Sequence, residues 1–254
     1  MKTLLIFLCC IITAGINAQS TVNKSYPVKA GQKIEISFDF PNVKVSTWDR
    51  NEVSIVAHVS INDGENDSAF ELEDKSTDAM VNIKSRIRNI DKLPHRYTIT
   101  GRDGKKTIFR TKEDYKAFRS ANTIDYSTIS EGPDMDISIE IKVPANTPTY
   151  IKSEYGRIDA VFDDHFLKVP LTLVSTFGRV DVSVPVAVKA NVNMKTSHGE
   201  ILASKDLKID IERALAKDDL LSFSNKDIKG KLNGGGTELS LQSDFGKIYL
   251  RKTN

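Results

Sequence analysis

The sequence predicts an all-β fold: a stacked β-strand repeat, β-solenoid or β-helix-like, with a charged mixed insertion that holds one short helix. Three observations predict it. One motif recurs four times, as TYIKSEYGRIDAV, LTLVSTFGRVDVS, VNMKTSHGEILAS and, near the end, LSLQSDFGKIYLR. Within each copy, apolar residues alternate with polar ones at the period of a strand with one buried face. The first three copies are spaced 22 and 21 residues apart, within the range of solenoid coils.

Aligned on Gly156, Gly178, Gly199 and Gly246, the copies superpose position by position. Seven residues before the glycine stand Thr149, Leu171, Val192 and Leu239; five before, Ile151, Leu173, Met194 and Leu241. Three before come Ser153, Ser175, Thr196 and Ser243, and one before, Tyr155, Phe177, His198 and Phe245. The apolar set resumes two residues after the glycine (Ile158, Val180, Ile201, Ile248) and four after (Ala160, Val182, Ala203, Leu250). Counting the aromatic position with the buried face, the parity slips by one at the glycine. That predicts strand, corner, strand, with glycine chosen for a left-handed or strained backbone. One coil cannot bury its apolar face alone, so coils must stack and share their hydrogen-bond ladders.

In chain order, residues 1–18 have one Lys, an apolar run from Leu4 to Ala14, and Ile16-Asn17-Ala18: a signal peptide cleaved after Ala18. The run is shorter than the roughly 20 residues a membrane span needs. Both cysteines, Cys9 and Cys10, lie inside it, and the bulky Leu8 before Cys9 argues against lipid anchoring. Residues 19–254 therefore offer no disulfide, thiol or Cys-metal chemistry. Losing Lys2 takes the formal charge from +2 to +1, and a near-neutral exported chain is not shaped for nucleic acid.

Residues 19–61 read as N-terminal strands and a degenerate first coil. Ile34, Ile36, Phe38 and Phe40 alternate, Pro41 takes the glycine slot, and Val43 and Val45 follow. After the turn at 48–51, Val53, Ile55, Ala57 and Val59 make a further strand. Residues 62–134 form the charged insertion. Its opening, 62–80, reads as a solvated acidic loop; Asp63, Glu65 and Asp67 alternate, but the EF-hand order of ligands is absent. Strand character resumes at Val81–Ile90, and Gly101–Gly104 is a hairpin turn between Tyr97–Thr100 and Thr107–Phe109. Thr111 caps a helix through Ala121, with Glu113 and Asp114 in its first turn and Tyr115 and Phe118 on one face. From 85 to 119 the chain is basic with interleaved aromatics, and Arg102, Lys105, Lys106, Arg110 and Tyr115 are its candidate binding residues.

Residues 135–254 complete the repeat domain, which packs as one domain with 19–61. Its first strand is DISIEIKV. Leu221, Phe223 and Ile228 fit a further coil with Asn225-Lys226 at the corner, and the glycines at 234–236 make a tight corner into the last copy rather than a phosphate cradle.

With SEYGRIDA, STFGRVDV, TSHGEILA, LNGGGTELSLQSDFGKIYL, DISIEIKVPANTPTYIKS and FPNVKVSTWDRNEVSIVAHV in view, the chain resembles the putative-adhesin family of bacterial envelope proteins, whose domain is labelled DUF4097. The resemblance covers 28–61 and 135–252, and 62–134 departs from it. It implies a stacked β-strand repeat domain at the cell envelope and carries over no catalytic residues.

Of the histidines, His198 belongs to an aromatic column, His58 faces solvent on its strand, and Asp163-Asp164-His165 is a polar turn between coils. His95 belongs to no catalytic motif; HExxH, GxSxG and CxxC are absent. Arg157 and Arg179 align one residue after the glycine, and Asp159 and Asp181 three after, as rows of a solvated ion-pair ladder on the coils. No cofactor or metal is implied.

Three functions compete. The first is an exported, non-catalytic envelope or surface protein, an adhesin acting through its β-surface on a protein, glycan or lipid partner, in the periplasm, at the cell surface or secreted. The second is an anionic glycan or lipid-binding module using 85–119, with Arg157 and Arg179 as a further face. The third, a β-helical carbohydrate-active enzyme, would need converging carboxylates such as Asp159 and Asp181.

Overall fold

A computed structural model describes residues 19–122, 125–162, 168–210, 215–217, 220–223 and 226–253. Residues 1–18, read from the sequence as a signal peptide and holding Cys9 and Cys10, lie outside the described residues, as do the fragment 163–165 and Asn225. Among the described residues the protein is mostly β with one short α-helix: a ten-stranded and a nine-stranded mixed sheet, and a separate three-stranded sheet.

Five rungs run through the two large sheets, each giving one strand to each. In stacking order they are Lys33–Phe38 with Asn42–Trp48, Thr149–Ser153 with Ile158–Val161, Leu171–Ser175 with Val180–Val184, Thr237–Ser243 with Ile248–Lys252, and Ala190–Thr196 with Ile201–Ser204. Neighbouring rungs pair in parallel, so the apolar rows read from the sequence are the rows of the core. Ile36, Ile151, Leu173, Leu241 and Met194 form one, and Val43, Ile158, Val180, Ile248 and Ile201 another. Rows from both sheets join one buried cluster. The last copy in sequence slots between the second and third glycine copies, which makes it the fourth of the five rungs.

Both ends are closed by antiparallel strands, which is why the sheets are mixed. At one end Met135–Pro144 lies parallel to Asn42–Trp48 and antiparallel to Glu52–Ile61, which pairs in turn with Ser20–Pro27. At the other, Leu220–Phe223 runs antiparallel to Ile201–Ser204, and Asp227–Leu232 antiparallel to Ala190–Thr196. Leu221, Phe223 and Ile228 therefore do not make a further parallel coil. Their alternation suits either strand direction, and the chain returns as a cap that covers the open rung.

The acidic stretch 62–80 is also more ordered than a solvated loop. Phe70–Asp74 pairs antiparallel with Met80–Ile87, which joins the nine-stranded sheet beside Lys33–Phe38. Asp67 is buried, and its carboxylate accepts from the backbone N–H of Ile61 at 2.7 Å and of Ser20 at 3.2 Å. Met80–Ile87 and Met135–Pro144 thus occupy the two sheets beside the first rung, and residues 88–134 run where a corner would otherwise join them. That excursion carries the three-stranded sheet (Arg96–Gly101, Lys106–Phe109, Tyr126–Gly132) and the helix Lys112–Ala121. Thr111 caps the helix by accepting from the Asp114 N–H at 3.1 Å, and Gly104, at φ +81°, turns the hairpin.

Candidate functional site

The corners position the most distinctive surface of the molecule. Ser153 Oγ accepts from the Gly156 N–H of its own rung at 3.2 Å and donates to the Pro41 carbonyl of the rung below at 3.0 Å. Ser175 does the same with Gly178 and Gly156, Ser243 with Gly246 and Gly178, and Thr196 with Gly199 and Gly246. Lys226 closes the last corner by donating to the Gly199 carbonyl. The serine position was legible as a polar interruption of an apolar face; these bonds explain it, because a buried hydroxyl requires partners.

The repeat glycines are not at left-handed angles: none of the four has a positive φ. The requirement is spatial. A Cβ on Gly178 would sit 2.3 Å from the Gly156 carbonyl oxygen, and one on Gly246 2.2 Å from that of Gly178. The rungs approach so closely at the corner that only a residue without a side chain fits.

Close rungs stack the preceding residues ring on ring. Phe40, Tyr155, Phe177, Phe245 and His198 form one column, with successive centroids 5.4, 5.0, 5.0 and 4.9 Å apart and planes within 14° of parallel. Backbone bonds fix it: the Tyr155 N–H donates to Asp39, Phe177 to Glu154, Phe245 to Thr176 and His198 to Asp244, at 2.8–3.0 Å. Phe40 is half-buried against the core, but the rings above it do not extend the core. Tyr155 is 57% exposed, Phe177 48% and Phe245 53%, so the parity slip falls between the buried serine and the glycine and throws the aromatic outward. The column stands as a crest along the corners. Asp39, Glu154 and Asp244 precede its rings, and Arg157, Arg179 and Lys247 follow two residues after them, beyond the glycine.

Crowded carboxylates leave a trace on the first of these flanks. Partial burial, and then the charge of Glu154, raise the Asp39 carboxyl above its ordinary range. Glu154 itself is held below the usual range, chiefly by its hydrogen bond from Lys152.

On the ten-stranded sheet Asp159 and Asp181 are register partners, and the arginines thread between them. Arg157 lies 2.9 Å from Asp159, Arg179 3.1 Å from Asp159 and 3.8 Å from Asp181, and Arg251 2.8 Å from Asp181. The ladder expected from the sequence is present, extended by Arg251.

The excursion gathers less charge than its sequence suggests. Arg102 pairs with Asp125 at 2.7 Å, Lys105 with Asp103 at 3.7 Å, Lys106 with Asp134 at 3.9 Å and Arg110 with Glu65 at 2.5 Å. Tyr115 stacks on Tyr97 at 5.6 Å and its hydroxyl accepts from Arg119. A depression of about 430 Å³ brings Arg102 and Lys105 together with Phe118 and Asp125, but not Lys106, Arg110 or Tyr115. Glu65, considered among calcium ligands, instead bridges Arg110 and the buried Arg96 at 2.7 Å. Among the described residues no group of three His, Cys, Asp or Glu is placed to hold a metal.

Asn62 was not singled out from the sequence. At φ 54° and 1% exposed, it donates from Nδ2 to the Pro94 carbonyl at 2.9 Å, and its Oδ1 accepts from the Asp134 N–H at 2.9 Å. One side chain thereby clamps both ends of the excursion. Of the other histidines, Nδ1 of His58 lies 3.3 Å from the Thr21 hydroxyl, and His95 lies 3.7 Å from Glu131.

No protein-family model matches the chain, and no curated protein matches it. Among solved structures, the chain is similar to a putative cell adhesion protein from Clostridium sporogenes, with a TM-score of 0.47 and 9% identity over 92% of this chain and 100% of that one. Among the described residues, no helix is long and apolar enough to cross a membrane.

Proposed function

We propose that this chain is an exported, non-catalytic interaction protein of the cell envelope, adhesin-like in role, whose stacked rungs act as a two-sided β-solenoid presenting one long binding edge. The observation that carries this reading is the crest: four successive exposed rings, Tyr155, Phe177, Phe245 and His198, continued by the half-buried Phe40 and held in place by backbone and serine ladders. Contiguous exposed apolar surface of this kind on a folded chain marks an interaction site. Membership of the DUF4097 family, suggested by the repeat residues, fits a role at the envelope. The acid–base pairs on the rung faces and the excursion form mutually neutralising ladders, so the arrangement favours recognition over turnover.

The alternative, an anionic glycan or lipid-binding excursion, remains the direct competitor because Arg102 and Lys105 share a depression with Phe118. The two separate on an array of glycans and anionic vesicles probed with residues 19–254, beside a version lacking 95–133 with 94 joined to 134, the points that Asn62 clamps. Binding that survives the excision lies outside the excursion, and its loss in Phe177→Asp then assigns it to the crest. Salt-sensitive binding lost with the excision transfers the function to the excursion.

A further inference from the structure

The crest has an unusual chemical form. Its rings lie face to face, so within the column the π-faces are covered by neighbouring rings and only edges and rims point outward. Sugar stacking uses open faces, which makes an aromatic ladder of this type a poor glycan platform. Outward-pointing rims still offer apolar area that a partner's apolar surface can cover.

The flanks then discriminate between partners. Going up the stack, the residues just before the crest are Asp39, Glu154, Thr176, Asp244 and Ser197, and those just after it are Asn42, Arg157, Arg179, Lys247 and Glu200. One side is predominantly acidic and the other predominantly basic. Two copies of this edge can meet crest to crest in two ways. With the two-fold axis across the crest, the stacks run in opposite directions, and Glu154 meets Asp244 while Arg157 meets Lys247. With the axis along the crest, the stacks run in the same direction and each rung meets itself. Glu154 then faces Arg157, Asp244 faces Lys247, Thr176 faces Arg179, and no like charges are opposed. Such self-complementarity is what an isologous interface requires. Resting on the reading of the crest as the interaction surface, we propose that its occupant is a second copy of this chain, docked crest to crest with both stacks pointing the same way.

Within one molecule Lys152 already pairs with Glu154, Lys247 with Glu200, and Arg157 and Arg179 with Asp159 and Asp181, so docking exchanges or shares exposed ion pairs and leaves the apolar rims to supply the gain. The 88–134 excursions of the two copies lie at the same end of the pair.

Residues 19–254 contain no cysteine, so single cysteines report the geometry directly. Tyr155→Cys and Phe245→Cys are made separately, checked for native circular dichroism, and oxidised gently at several concentrations. The proposal expects each variant to form disulfide-linked dimers with itself, and wild type to show concentration-dependent dimer in sedimentation. Glu154→Lys added to Tyr155→Cys should cut the linked yield several-fold, and further adding Arg157→Glu should restore it. Linkage only in a mixture of the two cysteine variants would overturn the same-direction arrangement. Absence of linkage together with a monomer at every concentration would overturn self-docking altogether. In that case, loss of envelope binding by Phe177→Asp would still leave the crest as the surface for another partner, so the two readings fail separately.

Discussion

Replacing Gly178 by alanine probes the close approach of rungs that underlies the whole edge. The new methyl would stand 2.3 Å from the Gly156 carbonyl oxygen, 2.6 Å from its carbon and 2.7 Å from the Arg157 nitrogen, all of them backbone. No flexible side chain can move aside. Relief requires the two corners to separate, which lengthens the bonds that cross between them: Phe177–Glu154 and Ile158–Arg179 on the backbone, each 2.9 Å, and Ser175 Oγ to the Gly156 carbonyl at 2.8 Å. Three bonds at about 0.5–1.5 kcal/mol each place the loss at roughly 2–4 kcal/mol. At about 2–4 °C per kcal/mol for a domain of this size, the melting midpoint should fall by on the order of 10 °C. Ser175→Ala removes the hydroxyl bonds without the clash and should fall short of that, at about 2 kcal/mol. Thermal denaturation of both variants is the assay. A Gly178→Ala midpoint within about 2 °C of wild type would refute the argument that space selects this glycine.

Other expectations follow from the same contacts. Arg179→Ala, which removes the shared partner of Asp159 and Asp181, should lower stability by less than about 1 kcal/mol in urea titration, because the ladder is solvent-exposed. Asn62→Ala should destabilise by about 2–4 kcal/mol and speed hydrogen exchange across 94–134, since both ends of the excursion lose their clamp. Asp39 has a raised folded-state pKa, so its ionisation opposes folding as pH rises through the carboxylate range, and the penalty is complete at neutral pH. Asp39→Asn should therefore raise the melting midpoint at pH 7 and give no gain at a pH well below about 3.9, where wild-type Asp39 is already protonated in both states.

The rows of the core were legible because apolar alternation and the fixed glycine register determine which residues meet across parallel strands. Ile151, Leu173, Leu241 and Met194 align as their offsets required. The order of the rungs was not legible. All four copies present equivalent ladders, and nothing local tells Leu239–Leu250 to enter beside Leu171–Ser175. The corner residues were identified but for a different reason, since a carbonyl from another rung leaves no mark on the glycine's own neighbours. His198 was readable as a member of the column, and Phe40 completes it at the opposite end through the Pro41 corner. The excursion looked basic because its neutralising acids are scattered: Glu65 precedes it, and Asp125 and Asp134 follow the helix. Asn62 was invisible for a similar reason, its partners lying 32 and 72 residues away.

The central claim is that the exposed rings at the rung corners are the working surface. Its most direct test is adhesion of beads coated with residues 19–254 to cells or isolated envelopes, compared with beads carrying Phe177→Asp, a change at the middle of the crest on an exposed side chain. The account predicts that Phe177→Asp keeps its fold and loses adhesion at least ten-fold. Undiminished adhesion by a folded Phe177→Asp protein would contradict it.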